Sequence, residues 1–64
     1  MSARLRGPIA ACTKGGVRVH LPEGTFVRGI MRVAGDTHFL ASSDGKVWAA
    51  YYTRASLDDS AHGN

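Results

Sequence analysis

The sequence predicts an all-β domain, a small and strongly bent barrel of five strands, preceded by a segment that could be strand or short helix. Three observations carry this. Short runs alternate apolar and polar residues with the period of two that a half-buried strand requires. Pro22-Glu23-Gly24 and Ser43-Asp44-Gly45-Lys46 separate these runs, and both are rich in turn formers. From Val17 to Ser56 the chain reads as one continuous antiparallel meander, and few folds fit so many short strands into so few residues.

Residues 1–16 are expected to be an N-terminal arm or a short helix. Arg4 to Cys12 could be helical, but Gly7-Pro8 lies in its middle and proline removes a donor there. A helical turn starting at Pro8, or an extra strand, are the alternatives. Thr13-Lys14-Gly15-Gly16 is a loop by composition. Residues 17–57 are the expected barrel. Val17–Leu21 is its first strand and Thr25–Val33 a longer second one. Regular alternation places Val27, Gly29, Met31 and Val33 on one side of that strand and Phe26, Arg28, Ile30 and Arg32 on the other. Gly29 marks a bulge or sharp bend. After Ala34-Gly35-Asp36-Thr37 comes a short strand, His38–Ala41. Asp44-Gly45 is the strongest short hairpin signal in the chain. Lys46–Arg54 then closes the sheet, with Lys46, Trp48, Ala50, Tyr52 and Arg54 on one face. Residues 58–64, polar and small, are expected to be a flexible tail.

A chain of 64 residues makes one domain, and a domain of this size buries only about 60% of its unfolded surface. Such domains often add a staple. Cys12 is the single cysteine, so an internal disulfide is excluded. Cys12, His20, His38 and His62 show no metal-ligand spacing, so neither a structural metal nor a cofactor is expected. Self-association is the remaining staple. The net charge of +3 and a pI near 9.6 are compatible with nucleic acid. No apolar run approaches the roughly 18 residues of a membrane helix, and the N-terminus lacks a signal peptide's apolar core. The expectation is a cytoplasmic protein with a reduced thiol and no membrane contact.

Two groups of residues suggest a binding chemistry. Lys46, Trp48, Tyr52 and Arg54 alternate on one strand face, which suits single-stranded RNA: bases stack on the aromatics and phosphates meet the cations. The bland alternative places Trp48 and Tyr52 in the core or an interface. Arg28 and Arg32, four residues apart on one face, with Arg18 across the hairpin, form a positive stripe for a nucleic-acid backbone or simply a solvated face. His20 and His38 read as structural or surface groups, and Asp36 as a turn cap. No nucleophile–base–acid order, paired carboxylates or phosphate-cradling glycine loop is present, so an enzyme is not expected.

Val17-Arg-Val-His-Leu-Pro-Glu-Gly24, Phe26-Val-Arg-Gly29, Asp36 and Tyr52-Thr-Arg-Ala-Ser56 together resemble the Sm-like family, and within it the bacterial Hfq branch. Gly24, Gly29, Asp36, Tyr52, Ala55 and Ser56 fall at comparable places, with one inserted residue before Asp36; Thr53 and Arg54 stand where the family has Lys-His. The resemblance implies an SH3-like or Sm-like barrel that closes into a hexameric or heptameric ring. It implies a pore holding single-stranded, uridine-rich RNA against Thr53 and Arg54, in the service of RNA chaperoning or post-transcriptional regulation. Two rival readings remain. One is a protein-interaction or DNA-binding module, of the kind a phage or mobile element encodes. The other is an oligomeric enzyme whose site forms at a symmetric pore from His20, Tyr51 or Tyr52.

Overall fold

The computed structural model describes residues 3–54 and 61–62, and every regular element among them is a strand. They are β1 (Ala3–Leu5), β2 (Ile9–Thr13), β3 (Arg18–Leu21), β4 (Phe26–Val33), β5 (Asp36–Ser42), β6 (Ala49–Thr53) and β7 (Ala61–His62). All lie in one antiparallel sheet of order β3-β2-β6-β5-β4-β1-β7. Four of the seven lie in the expected barrel, residues 17–57; β7 comes from the expected tail, and β1 and β2 from the chain before residue 17. The helix considered there does not form. Residues on either side of Gly7-Pro8 find separate ladders instead, β1 on β4 and β2 on both β3 and β6. Of the expected tail, only Ala61–His62 falls within the described residues, paired with β1.

The sheet is open at its edges but strongly rolled. β3 and β4 are four strand spacings apart in the order, about 19 Å in a flat sheet. Yet only Pro22–Thr25 separates them, a reach of at most about 17 Å. β1 and β2 are also four spacings apart and are joined by Arg6–Pro8 alone, a reach of at most about 14 Å. Both links can be made only if the sheet curls back on itself. β1 fixes that curl: the Leu5 amide donates to the Thr25 carbonyl and the Gly24 amide donates to the Leu5 carbonyl, each at 2.9 Å. Inside the Pro22–Thr25 corner, the Thr25 hydroxyl donates to the Pro22 carbonyl at 2.7 Å.

This topology corrects the continuous meander. β4–β5–β6 is a meander, but β3 pairs with β2 and not with β4. A three-stranded stretch could bury little of its inner face, whereas recruiting β1 and β2 surrounds it. Leu5, Ala11, Leu21, Val27, Phe39 and Ala41 form the core, contributed by β1 through β5, and Ile9, Val19 and Tyr51 pack against it. No helix among the described residues is long and apolar enough to cross a membrane.

β4 also departs from strict alternation. Arg28 pairs with Leu40 and Met31 with His38, so Gly29 and Ile30 together oppose the single residue Phe39. Gly29 has φ +65°, the left-handed geometry that a glycine-led bulge needs. The bulge shifts the parity of everything after it, and Arg28 and Arg32 end on opposite faces.

Candidate functional site

The outward face is read from the ladder. Thr37, Phe39 and Ala41 of β5 are buried, so His38 and Leu40 point the other way. Their partners follow: Leu40 is flanked by Arg28 and Ala50, and His38 by Met31 and Tyr52. Tyr52 in turn pairs with Cys12, and Cys12 with Arg18. One outward row therefore crosses five strands as Met31–His38–Tyr52–Cys12–Arg18.

Two aromatic contacts organise this face. The Arg28 guanidinium lies 4.0 Å above the Trp48 ring centre. His38 and Tyr52 stack with ring centres 5.7 Å apart and planes 25° from parallel. A cleft beside the His38–Tyr52 stack is lined by Gly29, Met31, His38, Leu40, Tyr52 and Lys14 among others. Gly29 opens it: the residue above Leu40 has no side chain, and Leu40 stays partly exposed. A second cationic contact lies along the same face of β4, where Arg4 sits 4.2 Å over Phe26.

The Tyr52 phenol is held above its ordinary value of 10.0. The first cause is the charge that Cys12 carries at high pH; desolvation and a hydrogen bond with Cys12 add to it, and Arg54 opposes it. Near neutral pH Tyr52 is thus an uncharged hydroxyl that feels both the Asp36 carboxylate and the Arg54 cation.

The expected site residues divide into two groups. Arg28 and Trp48 meet, and Tyr52 and Arg54 are close enough to interact. Lys46, Thr53 and Arg32 do not join them. Lys46 and Trp48 lie outside β6, which starts at Ala49. The cause is Asp44, whose Oδ1 accepts from the Lys46 amide at 2.8 Å, the Val47 amide at 3.2 Å and the Ser42 hydroxyl at 3.0 Å. That cap holds residues 43–48 as a loop where a turn over Ser43–Lys46 and a strand starting at Lys46 were expected. Trp48 reaches the outer face from the end of the loop, while Lys46 stays in solvent. Thr53 is buried and its hydroxyl donates to the Ala10 carbonyl at 3.2 Å. Arg32 folds over its own turn, donating to the Thr37 hydroxyl at 3.3 Å and to the Gly35 carbonyl at 3.4 Å.

Sequence reasoning underrated His38 and overlooked Met31 and Lys14. His38 was legible in principle, since it alternates with Phe39 in a short strand, but its stacking on Tyr52 depends on the β5–β6 register. Among the described residues, no three His, Cys, Asp or Glu side chains gather as a metal site. Compared with known proteins, the chain matches no family model, no curated protein and no solved structure.

Proposed function

We propose that the outward face binds single-stranded RNA, and that the protein works as a self-associating RNA chaperone or regulator on a small rolled barrel. The observation that carries this is the pairing of Arg28 with Trp48 beside the His38–Tyr52 stack. Aromatic faces offer stacking of roughly 1–3 kcal/mol per base, and guanidinium planes stack bases while attracting phosphate. A base can settle on the Arg28 plane or displace it from the indole. The Arg28–Trp48 contact is worth only about 0.5–1 kcal/mol at an exposed site, so displacement costs little.

Self-association is supported by the size of the domain and by apolar groups left in solvent at the β4–β5 end: Ile30, Met31 and Val33. The ring form rests on the Sm-like resemblance alone. The first hairpin of that resemblance, between Val17–Leu21 and Phe26–Val33, is not a paired hairpin here.

Trp48 is the sole tryptophan, so its fluorescence reports the site directly. Titration of nuclease-treated protein with a single-stranded uridine-rich oligonucleotide at low salt is expected to quench Trp48 saturably, and added salt to weaken the effect. Absence of any RNA affinity at low salt would overturn the proposal.

A further inference from the structure

A second cleft opens at the other end of the same outward row. Its walls include Cys12, Arg18, Tyr52 and Arg54, and it encloses about 470 Å³. The register explains how the two arginines reach it. Cys12 pairs with Arg18 on one side and Tyr52 on the other, so Arg18 and Tyr52 stand on strands about 10 Å apart with the small thiol between them. Arg54 follows two residues after Tyr52 and its charge acts on the phenol. Arg18 and Arg54 are both exposed. The carboxylate that also acts on Tyr52 is Asp36, one step beyond the Thr37–Thr53 pair.

Two guanidinium groups and a neutral phenol around an open cleft form a donor set for a phosphate oxygen, because arginine offers planar forked donors and is charged at any working pH. We infer that this cleft seats a backbone phosphate of the bound strand, while the Arg28–Trp48 and His38–Tyr52 groups hold its bases, so that the strand crosses the β-strands rather than running along them. The row from Met31 to Arg18 covers four strand spacings, a contour of about 19 Å around the rolled sheet, which defines the length of the track. The inference rests on the reading that this face binds a single strand.

The test measures binding of a single-stranded RNA oligonucleotide at several salt concentrations. Arg18→Gln and Arg54→Gln are each expected to reduce the slope of log K against log salt, and the double variant to reduce it by about 0.7, the share of the one phosphate they hold on a single strand, equally for different sequences. Arg18→Lys and Arg54→Lys keep the charge and most of the slope, which separates lost charge from lost fold. Asp36→Asn is expected to tighten binding. Trp48→Ala weakens binding with the slope unchanged. If both glutamine variants keep the wild-type slope while Trp48→Ala still weakens binding, the phosphate seat is wrong and the stacking face stands.

If the wild type binds no RNA, the parent reading falls, and the cleft is tested with inorganic phosphate alone. Joint NMR shifts of the Arg18 and Arg54 side-chain N–H signals then support a phosphate seat whose source is a free anion. No shift at either overturns it.

Discussion

Ala34 is the described non-glycine residue with positive φ, at +51°, and Gly35 follows at +86°. A two-residue turn with both central residues in this region is the mirror-image type that joins twisted strands well, and it favours Asn-Gly. Alanine meets the geometry at a cost of about 1–2 kcal/mol. Ala34→Asn is therefore expected to stabilise the fold by about 0.5–1 kcal/mol and to raise the midpoint of thermal unfolding by several degrees; circular dichroism melting checks it. Gly29→Ala should do the reverse. Its added carbon meets only Leu40, at 3.9 Å, so the penalty is backbone strain of about 1–2 kcal/mol. Asp44 gives a pH signature. Three donors, the Lys46 amide foremost, hold its carboxyl below the ordinary 3.8. A lowered folded value means the stabilisation is complete above the unfolded value and fades as pH falls through the folded one. Stability below about pH 4 should accordingly drop more steeply for the wild type than for Asp44→Asn, as followed by urea unfolding at stepped pH. Residue chemistry marked these turns in part: Gly35 stands at a chain reversal and Asp44-Gly45 in the loop that joins β5 to β6, whereas Pro22-Glu23-Gly24 makes a corner between β3 and β4, which do not pair. It did not show that Asp44 would cap its own loop out to Val47, because that depends on one carboxylate oxygen accepting from three donors at once.

At the scale of elements, β1 has three residues yet decides how the sheet curls. Leu5 is 2% exposed and bridges the Pro22–Thr25 corner through both its amide and its carbonyl. Leu5→Ala is expected to cost about 2–5 kcal/mol. A domain of this length has only about 3–10 kcal/mol in hand, so the variant should be largely unfolded at 37 °C, and amide-proton dispersion in a two-dimensional NMR spectrum checks this. The alternation of β3 was readable from sequence because Val19 and Leu21 give it one apolar face, whereas β6 carries apolar residues on both faces and its inward side was not readable. The partner of β3 was not readable. An isolated strand fits a ladder on either side, and its choice of β2 over β4 follows from closing the core around Leu21 and Ala11. The segment before residue 17 was ambiguous for a related reason. Gly7-Pro8 breaks a helix and a long strand equally, and only tertiary pairing shows that two short strands satisfy both halves.

For the molecule as a whole, the proposal joins three properties: positive charge, a rolled sheet with an aromatic outer face, and apolar groups at one end. Sedimentation of nuclease-treated protein is expected to show an assembly well above the 6.8 kDa chain, six- or sevenfold if the ring reading holds, and Val33→Lys is expected to dissociate it. A monomer would remove the ring and leave the Trp48 titration as an independent question. The candidate site was half visible beforehand. Arg28, Trp48, Tyr52 and Arg54 were identified by residue type, whereas Thr53 and Arg32 were misplaced, one by burial against Ala10 and the other by the parity shift in β4.

That shift is a local surplus. Between the Arg28–Leu40 and Met31–His38 pairs, β4 spends two residues where β5 spends one. Removing Ile30 would leave every named pair of that ladder intact and every outward group outward, since the remaining Gly29 would simply face Phe39. Only the bend would go. The shape of the sheet is thus stored as a difference in contour between two neighbouring strands, and a one-residue deletion there should be gentler on strand pairing than on the Pro22–Thr25 corner that the curvature brings together.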